Sequence, residues 1–107
     1  MIRAARKALD DKKGRDIVVL DVRGVSTVTD YYLIATGNSA PHVKALTEEV
    51  QVALKKEGHR AYRKAGTPES GWMIADFVDA VVHVFSPEAR GYYALEQLWN
   101  DAPRVEP

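Results

Sequence analysis

Gly37-Asn38-Ser39 sits where an apolar stretch ends and a helical pattern begins, a place where free backbone N–H groups can cradle a phosphate. Phosphoryl transfer at such a turn also needs paired carboxylates on a neighbouring strand to hold magnesium. No Asp-x-Asp follows the turn, and the next acids, Glu48 and Glu49, fall on the helix. Asp21, Asp30, Asp76 and Asp79 are scattered, and their spacing alone does not bring them to one point. A capped helix after a turn is the favoured reading of Gly37 to Ser39. His42, His59 and His83 contain no pair at the i, i+4 spacing of helical zinc ligands. The absence of cysteine excludes disulfides, thiolate catalysis and Cys-ligated zinc. These residues predict no catalytic set, no metal and no cofactor.

Binding chemistry is better represented. Trp72 to Ala75 and Ala80 to Phe85 read as two apolar strands joined by a short acidic turn. No Lys or Arg interrupts Ala65 to Ala89, which carries Glu69, Asp76, Asp79 and Glu88. Side chains alternate along a strand, so Trp72, Ile74 and Asp76 share one face and Met73, Ala75 and Phe77 the other. Aromatic residues dominate interface energetics. A docking site built from Glu69, Trp72, Ile74, Asp76, Phe77 and Asp79 would complement a basic partner. Plain core packing of Trp72 and Phe77 is the competing reading. His83, inside an apolar strand, is expected to be a hydrogen-bonded core or interface residue, and its protonation could tune docking. The cluster Arg3, Arg6, Lys7, Lys12, Lys13 and Arg15 suits a solvated helix face, with peripheral contact to RNA phosphates as the alternative.

The elements that must position these residues follow from periodicity. Ile2, Ala5, Ala8 and Leu9 predict a first helix that stops near Gly14. Ile17 to Val22 predicts a strand covered on both faces, Gly24 to Thr27 a loop, and Tyr31 to Thr36 a second strand. Asn38 or Ser39 then caps a helix with Pro41 in its first turn and Val43, Leu46, Val50, Ala53 and Leu54 on one face, ended by Gly58. Arg60 to Arg63 predicts a short polar edge strand, and Gly66 to Gly71 a turn or loop. A last helix starts at Ser86-Pro87-Glu88 and turns Tyr92, Leu95 and Leu98 or Trp99 inward. Asp101 to Pro107 is expected to be a loose tail. A strand–helix–strand unit requires a parallel pair and a tight link an antiparallel one. The fold class is therefore α/β (α+β), a mixed five-stranded sheet flanked by helices, in one domain spanning 1–107.

Bulk properties agree. The 107 residues are 46% hydrophobic and 28% charged with zero formal net charge, so no global basic field draws nucleic acid. No run approaches the ~18 apolar residues of a membrane helix. The N-terminus has neither a signal-peptide core nor, with Asp10 and Asp11, a transit-peptide composition. A soluble cytoplasmic protein is the expectation.

Several blocks together resemble the Iojap-like ribosomal silencing factors. They are Asp10-Asp11-Lys12-Lys13, Asp16 to Gly24, Asp30 to Ser39, His42-Val43, Trp72 to Phe77, Asp79 and Val81 to Phe85. The ending adds Arg90, Tyr93, Leu95-Glu96 and Leu98-Trp99, so the likeness runs from about Asp10 to Val105. The resemblance implies a nucleotidyltransferase-like topology without the catalytic carboxylates, and a translation repressor rather than an enzyme. Such a repressor binds the large ribosomal subunit through its ribosomal protein number fourteen, keeps the small subunit from joining, and acts when nutrients run short. It also implies a homodimer. The alternatives are a metal-dependent nucleotidyltransferase-like phosphoryl-transfer enzyme, or a docking subunit of another complex. Two departures stand out. Val78 replaces the Gly usual in the strand-joining turn, and a β-branched residue is a poor occupant of a positive-φ position, so a different turn type is expected. Pro41 replaces Arg or Gln, which removes one polar contact at the head of the helix.

Overall fold

The computed structural model describes residues 1–93 and 103–105. Helix α1 (Ile2–Asp11) buries Ala5, Ala8 and Leu9, as its spacing predicts. It leads into β1 (Arg15–Asp21), which pairs antiparallel with β2 (Tyr31–Thr36). In β1, Val19 and Leu20 are buried while Ile17 and Val18 are only half-buried, so coverage on both faces is reached late in the strand. Helix α2 (Ala40–Lys56) starts at Ser39, whose side chain accepts the His42 N–H, with Pro41 in the first turn. Its buried face is Val43, Leu46, Thr47, Val50 and Leu54. Strands β3 (Arg63–Thr67), β4 (Trp72–Asp76) and β5 (Ala80–Phe85) follow, then α3 (Pro87–Tyr93).

The sheet order is β1-β2-β5-β4-β3. β2 and β5 are parallel and the other pairs antiparallel. The parallel pair is thus not formed by the strands flanking α2: the crossover carries the chain past the positions of β5 and β4 to the far edge. Central position explains composition. All six residues of β5 are buried, whereas all five of the edge strand β3 are exposed.

Two predicted boundaries move. The third strand is Arg63–Thr67 rather than Arg60 to Arg63, and the turn after it shrinks to residues 68–71. The cause is register with β4: pairing runs from Arg63 opposite Asp76 to Thr67 opposite Trp72. Gly66 pairs opposite Met73 in this ladder, and only glycine suits the position, since its φ is +84° and a Cβ there would collide with the Trp72 carbonyl oxygen. Within the stretch expected to be a loose tail, residues 103–105 run beside β1. Val105 N–H donates to Val19 O at 2.8 Å, and Pro103 O accepts from Asp21 N–H at 2.9 Å. Residues 103–105 therefore satisfy backbone groups on the outer edge of β1 that would otherwise lack partners. In the C-terminal stripe, Tyr92 is 83% exposed rather than inward. Leu95, Leu98 and Trp99 lie outside the described residues.

Alternation divides the sheet's side chains between two cores. On one face α1 and α2 cover Val19, Leu33, Ala35, Ala75, Val82 and Val84, joined by Phe77. On the other, Leu20, Tyr32, Ile34, Val81 and Phe85 pack together with the half-buried Val18, Trp72, Ile74 and Ala89. Each fully buried aliphatic or aromatic side chain contributes about 1.5–3 kcal/mol. The second face carries the candidate site.

The link between β4 and β5 does not take the different turn type expected of Val78. Val78 keeps a positive φ of 73° and is 55% exposed, held by its N–H to Asp76 Oδ1 at 2.8 Å and its carbonyl to Thr29 Oγ1 at 2.9 Å. A left-handed β-branched residue costs roughly 1–2 kcal/mol, partly offset by the entropy a glycine would lose. Val78→Gly is therefore expected to raise stability by about 0.5–1 kcal/mol, read as an increased urea midpoint at unchanged slope.

Candidate functional site

The second face is a lattice set by register. One row across the sheet is Leu20, Tyr32, Val81, Asp76, Arg63; the next is Val18, Ile34, His83, Ile74, Ala65. The third holds Thr36, Phe85, Trp72 and Thr67. Towards the β3 edge these rows enclose a pocket of about 380 Å³ with Tyr32, Ile74, Val81 and His83 as its floor. Val28, Arg63, Lys64, Ala65 and Asp76 form its rim. Val28 is 69% exposed, a large apolar side chain offered to solvent beside an apolar floor.

Trp72 stands next to this pocket and is braced on two sides. Its indole N–H donates to His83 Nδ1 at 3.1 Å, and its ring stacks on Phe85 with centroids 5.1 Å apart. It is half-buried, so one part serves the core and one part remains to meet a partner. The Trp72 donor fixes His83 as the neutral tautomer with its proton on Nε2. That Nε2 is buried and has no hydrogen-bond partner among the described residues. Burial pushes the imidazole down to about 4.

His83 is therefore neutral between pH 6 and 8 and carries no charge change there. The effect on stability has a definite sign. The folded value lies below the ordinary 6.5, so the unfolded chain binds the proton first. Stability is complete above about pH 7 and is lost as pH falls from 6.5 towards 4. Urea unfolding at pH 7.5 and pH 5 should differ by about 2 kcal/mol from this group, and His83→Gln should remove that share of the difference.

The six predicted site residues are not all gathered. Trp72, Ile74 and Asp76 lie on the pocket face, as alternation requires. Phe77 is 5% exposed and packs in the helix-side core. Glu69 sits in the turn after β3 and lines a separate groove on the helix side with Lys44, Glu48 and Met73. Asp79 is exposed at the β4–β5 turn, where its carbonyl accepts from Asp30 and Tyr31 N–H, both at 3.2 Å. Nor is the rim acidic throughout. Arg63 Nη2 lies 3.4 Å from Asp76 Oδ2, and Lys64 stands beside it, so the charges are mixed. His83, expected as a hydrogen-bonded core or interface residue, is part of the floor; Tyr32 and Val81 on the floor, and Val28, Arg63, Lys64 and Ala65 on the rim, are not singled out by the sequence. Alternation along β5 places Val81, His83 and Phe85 together, but only the sheet order sets them beside β4.

The turn at Gly37 is occupied by its own contacts. Gly37 N–H donates to Phe85 O at 2.8 Å and Asn38 N–H to His42 Nδ1 at 2.8 Å. Ser39 takes the His42 N–H on its side chain and the Val43 N–H on its carbonyl. The other ring nitrogen of His42 lies 2.8 Å from Lys12 O, where it donates. These bonds tie the start of α2 to the end of α1. Asp21 is paired with Arg23 at 2.7 Å, away from that turn's contacts. Among the described residues no three His, Asp or Glu side chains are grouped to hold a metal ion. In the N-terminal basic cluster, Lys7 pairs with Asp11 at 2.8 Å, and Arg15 donates to Asn38 Oδ1 at 3.3 Å. No described helix is long and apolar enough to cross a membrane.

Residues 1–107 match the family described as ribosomal silencing factor during starvation. The chain is 42% identical to the ribosomal silencing factor RsfS of Bacillus subtilis, over 99% of this chain and 90% of that protein. It is 34% identical to the chloroplastic protein Iojap of Arabidopsis thaliana, over 94% of this chain and 42% of that one. A crystal structure of a Chromobacterium violaceum protein superposes with a TM-score of 0.89 at 39% identity, covering 92% of this chain and 82% of that chain.

Proposed function

Because the chain belongs to the ribosomal silencing factor family, we propose that it represses translation by occupying the large ribosomal subunit and excluding the small one. The partner is ribosomal protein number fourteen, seated on the pocket between Trp72, Ile74 and Asp76. The observation that carries this reading is a half-buried tryptophan braced beside a roughly 380 Å³ pocket with an apolar floor, on the face turned away from α1 and α2. A braced aromatic loses little conformational freedom on binding, which is what an interface anchor requires. The mixed rim supplies orientation: Asp76 meets a basic side chain of the partner, and Arg63 or Lys64 an acidic one.

No chemical step is needed. A bound body about 34 × 33 × 24 Å fills space that the joining subunit requires, and repression scales with occupancy. The backbone N–H groups of Gly37 and Asn38, which a phosphate would need, are spent inside the protein. This supports a regulator that is not an enzyme, acting in the cytoplasm where ribosomes are assembled and used, when nutrients are short. We place the expected homodimer contact on the same apolar face, so that self-association and ribosome docking compete. The test is capture of isolated ribosomal protein number fourteen by the purified chain over a range of chain concentrations. Saturable binding that weakens as the chain self-associates is expected. Absence of binding at every concentration would contradict this choice of partner.

A further inference from the structure

We propose that the outer edge formed by Lys55, Arg60, Tyr62 and Lys64 contacts ribosomal RNA, the cations taking backbone phosphates and Tyr62 stacking on a base. A concavity of about 210 Å³ at this edge is lined by Gln51, Lys55, Arg60, Ala61 and Lys64, three cations and one amide with no acid. Among the described residues, none of these cations lies in an ion pair; the pairs that form involve other residues. On a chain of zero net charge, three unpaired cations around one hollow form a local field that the composition conceals. Tyr62 stands between Arg60 and Arg63 and is 74% exposed, while its N–H is fixed to Asp76 O at 2.7 Å.

Structural explanations cover only parts of this. Lys55 lies in the last turn of α2, where a cation suits the helix dipole. Lys64 on the exposed edge strand discourages pairing with other chains. Neither accounts for Arg60, nor for an aromatic ring two residues along the chain that is held out in water. Cations interleaved with an exposed aromatic are the means by which proteins hold single-stranded nucleic acid without reading its sequence. An acidic peptide would satisfy the cations but would leave the ring without a role.

Placement strengthens the assignment. Lys64 lines both this hollow and the docking pocket, so a protein partner seated in the pocket brings its surrounding RNA to the edge. The inference rests on the large-subunit docking proposed above. It also moves the RNA contact away from the N-terminal cluster, where Lys7 is already paired with Asp11.

The test uses purified large subunits and isolated ribosomal protein number fourteen, with wild type, Lys55→Gln/Arg60→Gln and Tyr62→Ala, across a salt series. For the double variant on subunits, the slope of log K against log salt should fall by about 1.5, with affinity about tenfold lower at physiological salt. Tyr62→Ala should weaken subunit binding at an unchanged slope. Binding of both variants to the isolated protein should equal that of wild type. Wild-type binding to subunits with the same slope and affinity in both variants would overturn the RNA contact and leave docking standing. Failure of wild type to bind either target would overturn both.

Discussion

Ala65→Arg is expected to lower affinity for large ribosomal subunits roughly 100-fold while leaving thermal stability within the usual ±0.5 kcal/mol of a surface substitution. Ala65 is exposed, sits on β3 opposite Ile74, and forms part of the pocket rim. An arginine there fills the hollow with its stem and adds a cation beside Arg63 and Lys64. It does so without touching the core, which separates it from the more obvious Trp72→Ala. That change would remove the hydrogen bond to His83 Nδ1 and the stack on Phe85, so lost binding and lost packing would be confounded. Sedimentation with purified subunits, beside a urea melt of each protein, reads both quantities. Wild-type affinity in a folded Ala65→Arg protein would remove the pocket from the site.

Gly66→Ala should have the other large effect, through the backbone. A Cβ at this residue would meet the Trp72 carbonyl oxygen at 2.0 Å, and its φ of +84° is left-handed. The chain cannot accept both without moving β3 away from β4. Because all of β3 is exposed, little core is lost when the strand shifts. A stability loss of about 2–3 kcal/mol is expected, with hydrogen-exchange protection lost along β3 while β2 and β5 keep theirs. Subunit binding should fall in parallel, since Arg63, Lys64 and Ala65 form one wall of the pocket. Gly24→Ala is the control: a Cβ there has nothing within 4 Å, and neither stability nor binding should change by more than a few tenths of a kcal/mol. Equal effects of the two substitutions would mean that β3 is not held by this close approach.

What the sequence discloses depends on whether the cause is local. The face of α2 follows from the spacing of Val43, Leu46, Val50 and Leu54, and its start from Ser39 and Pro41. β2 and β5 are read directly because β-branched and aromatic runs of that length have few other uses. A polar edge strand is legible near Arg60 to Arg63, but its bounds are not, because the residues of β3 carry no apolar alternation: an edge strand with five exposed residues takes its limits from its partner's register. The hold of Val105 on Val19 escapes for a similar reason, being a backbone bond made to fill an edge. In the site, alternation correctly grouped Trp72, Ile74 and Asp76, and placed Phe77 on the opposite face, where it is core. The acidic character read from Ala65 to Ala89 was incomplete because Arg63 and Lys64 reach the pocket from a strand just outside that run. Family resemblance named the class of partner, while the pocket's floor and rim required the sheet order.

The Val78 turn illustrates how tertiary contacts override local preference. Propensity argues against a left-handed valine, yet its N–H and carbonyl are both held, by Asp76 and Thr29. The flanking strands are fixed by pairing to their neighbours, so the turn has no freedom to change type. The cost, at roughly 1–2 kcal/mol, is small beside the burial of β5.

Steric exclusion from the large subunit is the claim on which the rest depends, and subunit joining tests it most directly. Purified small and large subunits are mixed with increasing amounts of the chain, and association is followed by light scattering with sucrose-gradient analysis of the products. Free large subunits should accumulate with the chain co-sedimenting on them, in proportion to occupancy, and Ala65→Arg should restore joining. Undiminished joining with the chain bound to large subunits would contradict steric exclusion, and undiminished joining with nothing bound would contradict docking itself.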